Sequence, residues 1–290
     1  MYYLGRFNFA NNHYRRAALC LEEAYLQTPP VLLSHRTLIL SYLIPCNLLL
    51  GRLPTRDLLQ RPEARSMAGI FYPIAVAIKT GNFMIFQHTL AVHENWLLER
   101  GLLLTLMHRL RPLLWRALSR RTFLLTYTPP ANPNSNLAAT LHLDHLEITA
   151  SYVQKRLEGW VPAHPAPRGR PPNVTSVFLR AVSNNVSTIE SASTLVPPPG
   201  GPMPLRPNEG LISGNLPVTA DDIEMMVATL VNQGFLKGYI ALSSRRFAIM
   251  GAKQKGNPAA AGWPNVWEAI QSRTYEEEID LDDVPGWVRV

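Results

Sequence analysis

The residues best suited to chemistry in this 290-residue chain are cations rather than catalytic groups. Lys237, Arg245, Arg246, Lys253 and Lys255 crowd into one C-terminal stretch, interleaved with Phe235, Tyr239 and Phe247. A second run, Arg100 to Arg121, holds Arg100, Arg109, Arg111, Arg116, Arg120, Arg121 and His108 without a single carboxylate. Guanidinium and ammonium groups arranged this way neutralise phosphates and release counterions, so the chemistry on offer is salt-dependent binding of a nucleic-acid backbone. For the 100–121 run an acidic protein partner or plain solvation explains the charge equally well. The residues assigned to phosphate contact are Lys237, Arg245, Arg246, Lys253 and Lys255, with Arg116, Arg120 and Arg121.

Groups for covalent or hydrolytic chemistry lack companions. His88 and His93 are five apart, and His142 and His145 flank Asp144, but no cysteine or third ligand follows at zinc-site spacing. The sequence contains no G-x-S-x-G, phosphate-binding Walker loop, G-x-G-x-x-G or H-E-x-x-H. We therefore expect no catalytic residue, no metal and no cofactor. Cys20 and Cys46 sit in apolar helical context and read as buried thiols of a reducing compartment.

The cations near the C-terminus need a hairpin to carry them, and Val218–Met250 supplies one. Thr219 is placed to cap a helix whose first turn holds Asp221, Asp222 and Glu224, where carboxylates complement the helix dipole. Ile223, Met226, Val227, Leu230 and Val231 recur at helical spacing, and Gly234 ends the helix. Phe235–Leu242 and Arg246–Met250 then read as strands around the turn Ser243-Ser244-Arg245. This is the second half of a winged helix, with the basic turn as its wing. The acidic helix start with Met225, and Tyr239 on the hairpin, form the expected partner-binding surface: Asp221, Asp222, Met225 and Tyr239. A helix opening on acids lacks the Arg, Asn and Gln of a base-reading surface, so sequence-specific recognition is not expected.

Everything before residue 127 reads helical. Tyr2–Pro30 resembles one tetratricopeptide-like hairpin, with Leu4, Gly5 and Phe9 facing Ala17, Leu21 and Ala24. Helices follow at about 34–50, 55–59, 67–80, 83–100 and 102–125, with no alternation of strand and helix. The pattern predicts a right-handed stack of helical hairpins. Because a helix begins at residue 2, an earlier part of that stack is expected outside this sequence. Residues 137–154 read as a helix with Leu143, Leu146, Ile148 and Val153 inward. Residues 160–217, rich in Pro, Gly, Ser and Asn, read as a disordered insertion holding one short helix at 174–184. The expected division is a helical stack over 1–127, an interrupted winged helix over 137–253 and a flexible acidic tail over 254–290. Six of the 21 acids lie in 276–283, leaving 28 Lys and Arg against 15 acids elsewhere, a surplus of 13. The apolar runs 38–50 and 102–118 are broken by Pro45 or by charges and are too short to span a bilayer.

Four stretches carry more than composition. YYLGRFNFANNHYRRAALCLEEAY, LILSYLIPCNLLLGRLPTRDLL, KTGNFMIFQHTLAVHENWLLERGLLLTLMHRLRPLLWRALSRR and DDIEMMVATLVNQGFLKGYIALSSRRFAIM together resemble the PCI-domain proteins. Within them, the branch holding the PCI subunit of the nuclear TREX-type mRNA-export complex and its signalosome subunit-twelve-like paralogue is the most similar. The resemblance implies a mainly α fold, a TPR-like solenoid capped by a winged helix, with no enzymatic activity. It also implies a second PCI protein of the Sac/GANP-like type and a small acidic Sem/DSS-type subunit as partners. Juxtaposed winged helices would then bind RNA or DNA without sequence specificity, in the nucleus and in part the cytoplasm. The alternatives are a protein-binding-only subunit of a signalosome-related or splicing-linked complex and, less compatible with the long stack, an isolated winged-helix transcription factor. The 162–217 insertion and the 256–290 tail have no counterpart in the resemblance. For the tail, whose Ile279, Leu281, Val284 and Trp287 alternate with acids, a solubilising segment and a linear motif docking on a basic groove are the two readings.

Overall fold

The computed structural model describes residues 1–129, 138–162, 195–252 and 256–277. It is mainly helical. Helices α1 (Tyr2–Ala10) and α2 (Tyr14–Gln27) form the first hairpin, and α3 (Leu33–Leu49) packs on α2. Gly5 lets the pair close: a Cβ there would lie 2.6 Å from Leu21 Cγ. Phe9, Ala17, Leu21 and Ala24 are buried as the pattern requires, whereas Leu4 faces solvent. After α4 (Arg56–Gln60), capped by the Thr55 side chain, α5 (Ala68–Thr80) turns at Gly81 into α6 (Phe83–Val92), whose N-terminus Asn82 caps.

The two long helices expected at 83–100 and 102–125 are each divided. Helix α6 is followed by α7 (Glu94–Glu99), and α8 (Leu103–Arg109) by α9 (Arg111–Thr126). Pro112 explains the second break, since its ring excludes the amide donor and crowds the carbonyl four residues back, so it is placed at the start of a helix.

A larger difference concerns 137–154. The chain first makes strand β1 (Thr140–His142) and only then α10 (Leu143–Leu157). Three residues are too few to show an alternating pattern, and pairing with a distant strand is what makes them extended. Strands β2 (Val161–Pro162) and β3 (Leu195–Val196) pair across the insertion, and α11 (Ala220–Asn232) follows. Strands β4 (Gly238–Ala241) and β5 (Arg246–Ile249) complete an antiparallel sheet of order β1-β5-β4. In register, His142 pairs with Arg246 and Leu141 with Phe247. Helices α10 and α11 pack beside this three-stranded sheet, and α9 packs against both helices and β1. Thr219 and Asp222 form a reciprocal capping box on α11, an arrangement that contributes about 1 kcal/mol.

Two regions read as disordered are in part folded. Residues 195–217 of the insertion pack against α10 and α6, with Leu211 buried. Gln154 holds them, its Nε2 donating to the Gly214 carbonyl at 2.8 Å and its Oε1 accepting from the Leu211 amide at 2.9 Å. A loop without regular structure is stable in such a place because its buried backbone groups are paired. The remainder of the insertion, with the helix expected at 174–184, lies outside the described residues.

The supposed tail likewise begins as α12 (Pro258–Gly262) and α13 (Val266–Glu277). Trp263 between them is buried against Phe123 and Phe247, at ring distances of 5.0 and 6.4 Å, and its Nε1 donates to Ser119 Oγ. Apolar residues 259–270 dock this segment, and the acids that dominate the composition come later. One hydrophobic core therefore runs from Phe9 in the first hairpin through the sheet to Ile270. Cys46 is buried, which pushes its thiol pKa up, while Cys20 is half-buried; both are free. Among the described residues no helix is long and apolar enough to cross a membrane, and no group of three or more His, Cys, Asp or Glu is placed to hold a metal.

Candidate nucleic-acid and partner interface

The cations chosen from the sequence divide into struts and surface. Arg116 is a strut. It lies on the inner side of α9 and donates through Nη2 to the carbonyls of Trp263 and Pro264, at 3.2 and 2.6 Å. Burial, with Arg120 one turn away, lowers its pKa to about 10, so it stays charged at neutral pH. A guanidinium used this way cannot reach phosphate.

Arg245 is also committed. It occupies the left-handed region, φ 47°, at the tip of the hairpin. Its guanidinium meets Asp144 at 2.7 Å, Glu147 at 2.9 Å and Glu224 at 3.4 Å. These three carboxylates come from α10 and α11, so the arginine ties the turn to both helices. The wing tip is thus net negative, contrary to the expected basic clamp. Sequence reading missed the pairing because Asp144 and Glu147 lie about a hundred residues before the turn.

Lys237, Arg246, Arg120 and Arg121 remain on the surface. Lys237 precedes β4 and its backbone amide donates to the Gly262 carbonyl, which sets the cation beside the 262–264 segment. Arg246 projects from β5 in register with His142, whose pKa is lowered by burial and further by this arginine. Arg120 lies near Arg116, and Arg121 reaches the Thr80 carbonyl at the end of α5 at 3.4 Å. Lys253 and Lys255 lie outside the described residues.

The other cations of 100–121 are divided in the same way. Arg100 stacks on Trp96 at 4.0 Å. Arg111, whose pKa burial lowers, donates to the Gly210 carbonyl and lines a cleft of about 260 Å³ beside Leu90, Leu103 and Met107.

The four residues assigned to partner binding fare differently. Met225 and Tyr239 are exposed at 69% and 57%, apolar area that a partner would cover. Asp221 is exposed, but Asp222 is engaged in the cap, its carboxylate accepting from the Thr219 amide at 2.9 Å and hydroxyl at 2.6 Å. Leu242 at the hairpin turn is likewise exposed, at 66%.

No protein-family model matches the chain. It is 34% identical over 128 residues to a PCI domain-containing protein of Schizosaccharomyces pombe, covering 43% of this chain and 28% of that one. It is 33% identical over 124 residues to the PCI domain-containing protein 2 homolog of Drosophila melanogaster, covering 43% and 30%. The chain resembles PCI-domain proteins. A Protein CSN12 homolog of Schizosaccharomyces pombe is also similar, 30% identical over 161 residues, covering 55% of this chain and 37% of that protein. The matched stretch thus spans about a third of the length of these curated relatives. Matches to both kinds of PCI relative agree with the two paralogous branches to which the sequence motifs point.

Proposed function

We propose that the chain is a non-catalytic PCI scaffold subunit of a nuclear, transcription-coupled mRNA-export complex. In this reading the winged helix contributes a basic surface for the RNA or DNA backbone. A second PCI protein of the Sac/GANP-like type and a small acidic Sem/DSS-type subunit dock beside it. The observation that carries the reading is the joining of the helical stack to the terminal sheet through Trp263 and Arg116, within one continuous core. A rigid body of this kind presents surfaces at fixed spacing, as a scaffold requires. Phosphate contact falls to Lys237, Arg246, Arg120 and Arg121.

Copurification with a second PCI protein, followed by a salt series of RNA binding by the pair, tests the proposal. Four neutralised phosphates predict a slope of log affinity on log salt of about −3 for a single strand. Charge reversal at Lys237, Arg246, Arg120 and Arg121 that left the slope unchanged would remove the mechanism.

A second reading is favoured by the charge at the wing tip. Three carboxylates against Arg245, next to exposed Tyr239 and Leu242, suit a basic and apolar protein surface. On that reading the chain is a protein-binding subunit of a signalosome-related or splicing-linked complex. Undetectable RNA binding by the purified pair would select it.

A further inference from the structure

Around helix α5, three exposed cations lie outside the expected winged-helix site: Lys79 on the helix itself, Arg65 in the turn before it and Arg56 on α4. Neither α5 nor α9 contains a carboxylate. Gly69, Tyr72, Val76 and Lys79 follow at i, i+3, i+7 and i+10, so they share one face. Gly69 and Lys79 are exposed and Tyr72 is 37% exposed. A Cβ at Gly69 would meet nothing within 4 Å, so the helix backbone is open to close approach there. Arg56, reaching over from α4, donates to the Tyr72 hydroxyl at 2.7 Å, and its guanidinium lies over the ring at 5.4 Å from the centroid. Arg65 is exposed in the turn just before α5.

The C-terminal end of α5 joins the surface cations already described. Arg121 bonds to Thr80, next to Lys79, and Arg120 adjoins the strut that holds 263–264. Lys237 bonds to Gly262 of the same segment. Arg65, Arg56 and Lys79 thus lie around α5, Arg121 meets its C-terminal end, and Arg120 and Lys237 are tied to the neighbouring 262–264 segment. Helix α5 alone has 13 residues and measures about 20 Å, room for several consecutive phosphates. Among the described residues the acids nearest Arg56 and Arg65 in sequence are Asp57, in the first turn of α4, and the buried Glu63, paired with Arg36.

We propose that this face of α5 is a track for single-stranded nucleic acid leading from the winged helix onto the helical stack. The inference rests on the nucleic-acid reading given above and extends it. Exposed cations placed around one helix can follow a backbone, and the Tyr72 ring, 37% exposed and held by Arg56, offers one base a stacking surface. A duplex would present no free base face to Tyr72, which is why the track is assigned to a single strand.

The test uses the 290-residue chain and a fluorescein-labelled 15-nucleotide oligouridylate, read by anisotropy from 50 to 300 mM salt. Arg65→Gln, Lys79→Gln and Arg121→Gln are combined in one variant, and since all three side chains are exposed its thermal midpoint should equal that of the wild type. The combined variant is expected to bind at least tenfold more weakly at 100 mM salt, with the salt slope reduced by about 2. Tyr72→Leu is expected to weaken binding about fivefold and leave the slope alone. Wild-type binding that the combined variant retains in full overturns the track and leaves the winged-helix site standing. Absence of wild-type binding at 50 mM salt overturns both. Displacement of the oligonucleotide by polyglutamate at equal charge, with Tyr72→Leu silent, overturns the track in favour of an acidic protein partner.

Discussion

Arg116 on α9 donates to the carbonyl oxygen of Pro264 at 2.6 Å, fixing the segment between α12 and α13 to the final helix of the helical stack. Hydrogen bonds to a charged donor contribute about 1.5–3 kcal/mol, so Arg116→Met is expected to cost about 2 kcal/mol, read as a lower urea midpoint. The salt slope of RNA binding is expected to stay that of the wild type. A slope reduced by a phosphate's worth would return Arg116 to the binding surface.

Gly81 joins α5 to α6 at φ 68°, and a Cβ there would lie 2.6 Å from the Leu118 backbone nitrogen. Backbone cannot yield as a flexible side chain does. Gly81→Ala is expected to cost 3 kcal/mol or more from combined left-handed strain and overpacking, measured by chemical denaturation. It would also part Lys79 from Arg121 and weaken oligonucleotide binding.

Arg245 combines a left-handed backbone with three carboxylate contacts. Replacement by alanine removes the contacts and keeps the strain, whereas glycine removes both. Arg245→Gly is therefore expected to be more stable than Arg245→Ala by about 1 kcal/mol. Equal stabilities would show that the turn is not strained in solution.

His142 and His145 lie with ring centroids 5.2 Å apart between β1 and α10. Burial lowers the pKa of both, helped by Arg246 at His142 and by His142 at His145, while Asp144 opposes the shift. The fold therefore favours the neutral rings. Their contribution to stability is complete above the unfolded value of about 6.5 and is lost as pH falls through the lower folded values. The denaturation midpoint should decline from pH 7 to pH 5, and less steeply in His145→Gln. An unchanged pH profile in that variant would exclude the pair as its source.

Much of the fold was legible from side-chain periodicity. The capping box at Thr219 and Asp222, the stop at Gly234 and the buried stripe Ile223, Val227, Leu230 are local, and local patterns survive in sequence. Strand β1 was not, because Thr140–His142 is extended only through its partners 104 to 108 residues away. The docked segment 258–273 was hidden by the acids that follow it. Residues 195–217 were hidden because their order comes from Gln154, Gln87 and Arg111 rather than from their own propensities.

The candidate surface shows the same division. Sequence alone determined that this is a helical chain carrying a capped helix and hairpin at 218–250, with a large excess of cations and no catalytic motif. Only the tertiary structure decided which cations are available. Arg116 and Arg245 are indistinguishable in sequence from Arg120 and Arg246, but packing brings carbonyls to the first and carboxylates to the second. The reason is physical: a residue's type sets its charge, whereas the groups that neutralise that charge arrive from distant parts of the chain when the core closes.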